Sequence, residues 1–150
     1  MKIHIAAVGR LKDDVIVSLY QSYLKRINWS VSLSEVDVKK SLPEKQRKVQ
    51  EGQLLLSAVP KGYYKIVLDE TGREYSSHKF AKIIESRHDD AQNIAFFIGG
   101  AYGHSHELRQ QADLVLSFGL MTWPHKFVRV MLAEQLYRSY SILTGHPYHK

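Results

Sequence analysis

The stretch NIAFFIGGAYG, residues 93–103, decides the fold. Residues 93–100 read as a fourth strand, the most apolar of the chain: Ile94 to Ile98 are five apolar residues in a row, with no polar alternation, so it is buried on both faces. Such strands belong to parallel sheets covered by helices, because antiparallel sheets commonly keep one face wet. The run stops on two adjacent glycines, which bring backbone close to a ligand or close a tight turn with no Cβ in the way. Open parallel sheets bind ligands just beyond the carboxyl ends of their strands. The loop 99–103 therefore reads either as one wall of a site or as a plain turn.

Outward from this strand, strand and helix patterns alternate. Residues 2–9 (KIHIAAVG) form an apolar run closed by glycine and read as a first strand. Behind Asp13, the residues Val15, Ile16, Leu19, Tyr20, Tyr23, Leu24 and Ile27 recur at helical spacing. Residues 31–38 alternate as a second strand until the phase slips at Glu35-Val36, the mark of a bulge or a weak edge. Pro43 suits an early helical position, and its helix is expected to run to Ala58. Residues 63–69 read as a third strand leading into LDETG. Ser76 or Ser77 caps a helix with Phe80, Ile83 and Ile84 on one side. Ser105 caps a short helix, residues 114–118 make a fifth strand, and a long helix runs from near His125 to about Leu143. No Asn-Gly hairpin signal occurs. The pattern predicts a single α/β domain over residues 1–150, with a mainly parallel sheet of five or six strands and flanking helices.

The 150 residues are 44% hydrophobic, enough for one domain with a core. With no cysteine, the chain has no disulfide, thiol nucleophile or zinc ribbon, which suits a reducing compartment. It shows no signal-peptide pattern and nothing near the roughly 20 apolar residues of a membrane span. The expectation is a cytoplasmic protein without a membrane partner. A net charge of +6 and an isoelectric point near 9.5 favour a polyanion such as nucleic acid. Lys25, Arg26, Lys39, Lys40, Lys45, Arg47 and Lys48 are candidates for phosphate contacts, although charge runs also serve as solvated faces.

Loop 99–103 is neither a P-loop nor a dinucleotide fingerprint: no Gly-Lys-Ser/Thr follows, and the first strand–helix turn offers only Gly9. The loop SFGLMTWPH, residues 117–125, is mostly apolar and a poor phosphate cradle. It suits a flat, neutral ring read by backbone groups, or a buried connection. The last helix is apolar nearly all round, so several faces must be covered, and a second copy of the chain is one way to cover them. Glu134 and Arg138 interrupt it four residues apart, on one face, as an ion pair or as functional groups. Behind them, TGHPYHK (residues 144–150) reads as an arm freed by Gly145 and stiffened by Pro147. No further ligand cluster accompanies His146 and His149, so no metal site is expected.

AVGRLK near the start, Glu51-Gly52, LDETG, FFIGGAYGH and LSFGLMTWPHKFVRVMLAEQLYRSYSILTGHPYHK follow one another at matching length. Together they resemble the ribosomal RNA large subunit methyltransferase H family, in the SPOUT class of S-adenosylmethionine-dependent enzymes. The resemblance implies an α/β sheet with a C-terminal trefoil knot, a rare exception to unknotted chains. It implies S-adenosylmethionine held by Leu68, Gly99, Phe118, Gly119, Leu120, Met121, Thr122 and Trp123. It implies a homodimer that methylates N3 of a pseudouridine in 23S ribosomal RNA of the assembled ribosome. Glu134, Arg138, Tyr148 and His149 match positions tied to catalysis or RNA engagement. His104 stands where many relatives carry an aliphatic residue, and Trp123 where a smaller one is frequent.

An imide N–H is a poor nucleophile until its proton is at least partly lost, so a base or an anion-stabilising cation is needed. His149, with a reference pKa of about 6.5, suits the base. Arg138 suits charge on the ring, Glu134 its orientation, and Tyr148 contact with the base. Two rival readings are a catalytically silent RNA-binding module on the same fold and a flavodoxin-like nucleotide enzyme.

Overall fold

The computed structural model describes residues 1–39 and 41–149; Lys40, one of the phosphate-contact candidates, and Lys150 lie outside the described residues. The elements alternate throughout: β1 (Lys2–Val8), α1 (Asp14–Leu24), β2 (Ser30–Val36), α2 (Glu44–Ser57), β3 (Tyr64–Glu74), α3 (Ser77–Asp89), β4 (Ile94–Ile98), α4 (His106–Gln110), β5 (Leu114–Ser117) and α5 (His125–Thr144). The five strands form one sheet in the order β2-β1-β4-β3-β5, and every pairing is parallel.

β4 stands at the centre, and the two-residue period of the strand splits its side chains between two layers. Ile94, Phe96 and Ile98 face Tyr20, Phe80, Leu132 and Leu136, contributed by α1, α3 and α5. Ala95 and Phe97 face the other layer, with Leu55 of α2 and Leu108 of α4. Each fully buried large apolar side chain adds about 1.5–3 kcal/mol, which is why the apolar run at residues 94–98 announced the architecture.

Two details differ from the sequence expectation, and a third decides between alternatives it left open. β3 does not end at Asp69. Leu68 pairs with Leu116, the strand bulges, and Arg73 pairs with Leu116 again before Glu74 pairs with Ser117. A Cβ on Gly72 would lie 2.6 Å from the Leu116 carbonyl carbon, so only glycine permits this approach. The phase slip at Glu35-Val36 is an edge and not a bulge, since β2 keeps an unbroken register with β1. Pro43 sits at the N-cap of α2 without a side-chain cap.

α1 and α3 both pack on α5, and its buried residues Leu132, Ala133, Leu136 and Tyr137 belong to the chain's own core. Most of its apolar circumference is therefore covered without a second chain. Arg129, fully buried, donates to the carbonyls of Val8 and Gly9 and to Glu35, fixing the start of α5 over the ends of β1 and β2. Gly145 ends α5 in the left-handed region at φ +70°, and the His146 amide donates to the Ser141 carbonyl at 2.8 Å. The chain then turns back, and Tyr148 lies on Tyr137 with ring centroids 4.6 Å apart. The segment expected to be a free arm folds onto its own helix.

Candidate active site

A cleft of about 770 Å³ opens at the carboxyl ends of β3, β4 and β5. Leu68, Ile98 and Leu116 form its floor, loop 99–104 one wall, and residues 117–125 the other. The volume falls in the range of small-molecule sites, and the backbone-rich glycine wall supplies amide and carbonyl groups. Leu68, Gly99, Phe118, Gly119, Met121, Thr122 and Trp123, all expected cofactor contacts, line the cleft. Leu120 does not line it; its side chain is 89% exposed.

Local hydrogen bonds shape both walls. Gly119 adopts φ +113°, and its amide donates to Ser117 Oγ while that hydroxyl donates to the Gly119 carbonyl. Thr122 Oγ1 donates to Glu70 Oε2 at 2.9 Å, tying the second wall to the bulge of β3. On the glycine side, the Gly103 amide donates to the Gly100 carbonyl at 3.1 Å.

Buried His104 donates from Nε2 to the Leu68 carbonyl at 3.1 Å, which joins that wall to β3. Burial pushes the imidazole down to about 4, so it is neutral near pH 7. For Asp69, burial raises the carboxyl, but the Thr71 hydroxyl and amide and the nearby Arg109 outweigh it and hold it below the ordinary range. Sequence reasoning left His104 without a role and passed over Asp69 and Arg109.

Glu134, Arg138, Tyr148 and His149 come together as one hydrogen-bonded cluster. Arg138 Nε donates to Glu134 Oε1 at 3.0 Å, and its Nη2 reaches the same oxygen. The Tyr148 hydroxyl also donates to that oxygen, at 3.1 Å, with Arg138 lying 4.9 Å over its ring. Gln135 donates to Glu134 Oε2 at 2.8 Å and is itself held by Ser77 Oγ. Burial, a hydrogen bond with Tyr23 and the charge on Glu134 push Tyr148 up to about 12, which keeps the phenol protonated. The hydrogen bond with Glu134 raises Arg138 as well.

Arg138 Nη1 lies 3.1 Å from His149 Nδ1. A guanidinium only donates, so Nδ1 accepts and the ring proton sits on Nε2. That Nε2 lies 3.0 Å from His78 Nε2, which must then accept. His78, Ser77 and Gln135 complete the cluster. In the sequence only Ser77 carried a signal, as a candidate helix cap, because the meeting of Ser77 and His78 with Gln135 and the C-terminal segment depends on the packing of α3 against α5.

A second hollow, about 550 Å³, lies beside Tyr23, Tyr75, Phe80, Met131 and Glu134. It shares residues 116–119 with the cleft, so the end of β5 and the turn after it are a common wall between the two. Among the basic candidates, Lys48 lines the cleft, and Lys25, Lys39 and Lys45 are exposed. Arg26 stacks over Tyr137. Arg47 is engaged by Glu51 and Tyr102 and is not a free phosphate contact. Among the described residues, no three His, Cys, Asp or Glu side chains gather to hold a metal ion, and no helix is long and apolar enough to cross a membrane.

A parallel α/β sheet, helices on both faces and a glycine-walled cleft at the strand ends define the class. The family model described as "Predicted SPOUT methyltransferase" matches residues 1–149, so the protein is a SPOUT methyltransferase. Over 151 residues it is 47% identical to ribosomal RNA large subunit methyltransferase H of Paramagnetospirillum magneticum, covering 100% of this chain and 99% of that one. The same-named protein of Rhodospirillum centenum is 46% identical with the same coverage. Within the SPOUT class, the chain belongs to the ribosomal RNA large subunit methyltransferase H family, as its motifs implied.

Solved structures show the same fold at low identity. A probable methylase family protein from Haemophilus influenzae Rd KW20 superposes with a TM-score of 0.62 at 13% identity, covering 99% of this chain and 70% of that one. A putative methyltransferase from Legionella pneumophila, solved with its cofactor SAM bound, gives a TM-score of 0.50 at 12% identity, covering 95% of this chain and 66% of that one.

Proposed function

We propose that the protein methylates N3 of a pseudouridine in 23S ribosomal RNA, on the assembled ribosome in the cytoplasm, using S-adenosylmethionine bound in the cleft. The observation that carries this reading is the common wall 116–119: it divides a glycine-lined cleft from a hollow lined by Glu134, the carboxylate that gathers one guanidinium, one phenol and one imidazole behind it. When bound, S-adenosylmethionine supplies an electrophilic methyl group on its sulfonium. The cleft fits it: apolar floor residues Leu68, Ile98 and Leu116 suit the adenine ring, while the glycine backbone and the charged rim suit the polar ends.

The chain's own residues would prepare the acceptor. Arg138 cannot use Nη1 for both His149 and a ring oxygen in one geometry. Turning that group toward developing charge on the uracil ring frees His149 Nδ1 to take the imide proton. Glu134 keeps Arg138 on its own side of the cluster during that turn. Tyr148, protonated throughout, donates a hydrogen bond or stacks on the base. In-line alignment of the acceptor with the sulfonium methyl supplies much of the rate.

The homodimer belongs to the same reading. Met121, Trp123 and Phe127 expose apolar surface at the cleft rim and the start of α5, at 73%, 45% and 51%, and Leu120 adjoins them. A second copy seated there would cover this patch. The trefoil knot belongs to it as well. It is supported by the strand order, in which the connection from β4 to β5 has to pass across β3.

The test is methylation of intact ribosomes and of free ribosomal RNA, with the product nucleoside mapped by mass spectrometry. Methyl incorporation at pseudouridine N3, faster on intact ribosomes, is expected. Incorporation at another nucleoside, or none, overturns the substrate assignment. Sedimentation velocity at micromolar concentration should give a dimer, and a monomer would remove that part.

A further inference from the structure

Glu51, on α2, is 2% exposed. Its Oε1 accepts from Arg47 Nε at 3.0 Å, whereas its Oε2 has no hydrogen-bond partner. The carboxylate faces the glycine loop. A Cβ built on Gly100 would stand 3.4 Å from Oε2, 3.5 Å from Oε1 and 3.0 Å from Val8 Cγ1. Gly52 seats the far end of the same loop, because a Cβ there would lie 2.9 Å from Ser105 Oγ. Arg47 in turn stacks over Tyr102 at 5.6 Å. α2 thus holds the loop at Gly100, Tyr102 and Ser105, and two further residues of the helix, Glu44 and Lys48, line the cleft itself.

A carboxylate oxygen shut away from water and left without a donor is unfavourable, and a backbone N–H delivered to it relieves that penalty. Loop 99–103 presents backbone at this point because Gly100 has no side chain to intervene. We infer that Glu51 is a positioning residue of the cleft: Oε2 accepts a loop N–H when the loop closes on its ligand, which couples loop closure to cofactor binding. This rests on the reading of the cleft as the S-adenosylmethionine site. The Glu51-Gly52 pair then serves one purpose, since Glu51 fixes the start of the loop and Gly52 its end.

The experiment combines calorimetric titration with S-adenosylmethionine and amide hydrogen exchange with and without it. In the unaltered protein, the ligand should slow exchange at both 99–103 and 118–123. Protection at neither segment overturns the cleft reading and the inference together. Glu51→Gln keeps the shape and an acceptor for Arg47 but turns a donor toward the loop. It should weaken binding about tenfold, a change of about 1.4 kcal/mol, and lose ligand-induced protection at 99–103 while keeping it at 118–123. Gly100→Ala sets a methyl group in van der Waals contact with Glu51 Oε2, in the way of a loop N–H that would reach that oxygen, at a position whose backbone φ tolerates alanine.

The double variant should bind no more weakly than the worse single one, because both break the same contact. Unaltered affinity and loop protection in Glu51→Gln, or additive losses in the cycle, overturn the inference. Should circular dichroism show Glu51→Gln unfolded, Glu51→Asp, which keeps the charge and withdraws it from Gly100, carries the same cycle.

Discussion

Tyr148 and Arg138 meet on a single atom: the Oε1 of Glu134 accepts from the phenol at 3.1 Å and from the guanidinium Nε at 3.0 Å. A residue after the last helix is thereby fastened to one in its middle. His149 is fastened beside it through Arg138 Nη1. The cluster exists only when the final residues are folded back.

Removing residues 148–150 should abolish methylation, because two members of the cluster go with them. Affinity for S-adenosylmethionine should stay within about twofold, since neither Tyr148 nor His149 lines the cleft. Equal loss of both would mean that the segment merely supports the fold. Single-turnover methylation and calorimetry on the same truncated protein separate the two outcomes.

Arg138→Ala and His149→Ala should each lower methylation at saturating RNA by about 100-fold or more, the scale of a lost acid–base group. Because the Arg138 contact holds Nδ1 of His149, the double variant should fall less than the product of the single losses. Full turnover in both single variants would remove these residues from the mechanism. Tyr148 sits near 12, so the pH–rate profile should show no phenolate limb below pH 10.

His104 makes stability acid-sensitive. Its folded pKa lies near 4 against about 6.5 unfolded, so the unfolded chain binds the proton first. Its contribution to stability is complete above pH 6.5 and is lost as pH falls through about 4. The shift corresponds to roughly 3 kcal/mol. His125, lowered by burial and by Arg129 and Lys126, acts in the same direction. Urea titrations from pH 7.5 to 4 should show the loss, and His104→Gln should flatten it. A parallel decline in the variant would assign the acid sensitivity elsewhere.

Gly72→Ala forces a Cβ to 2.6 Å from the Leu116 backbone. The β3–β5 pairing has to shift, at a cost on the order of 3 kcal/mol. Since Leu68 and Leu116 are both floor residues, cofactor affinity should fall as well. A variant with unchanged urea midpoint and affinity would show that the bulge adapts freely.

Reversing Lys25, Lys39 and Lys45 to glutamate should flatten the salt dependence of ribosome binding, because each lost phosphate contact lowers the log–log slope by about 0.7–0.9. An unchanged slope would exclude this face. Arg47 is left out of the set because Glu51 and Tyr102 already hold it.

What could be read from the sequence follows from the range of the forces involved. Period-two and period-3.6 patterns are local, so the order of the elements and the buried β4 were legible, and Ser76 and Ser105 are the caps their types suggested. The extension of β3 through LDETG was not. Polar residues there stay in a strand because Gly72 admits the Leu116 backbone, a contact formed across the sheet. The same holds for His78, brought to His149 by the packing of α3 on α5, and for Glu51, whose burial depends on a loop about fifty residues further along the chain. Leu120 is the converse case. The family resemblance implied that it contacts the cofactor, yet the turn at Gly119 sends its side chain to solvent.

The common wall at 116–119 has a thermodynamic meaning. A wall one strand thick cannot move for an occupant on one side without presenting a changed surface to the other. Any displacement that favours a ligand in the cleft is then felt in the hollow beside Glu134, and linkage makes the effect reciprocal: the factor by which the first guest alters the second is the factor by which the second alters the first. Phe118 and Gly119, which touch both spaces, are where such mutual influence would be set.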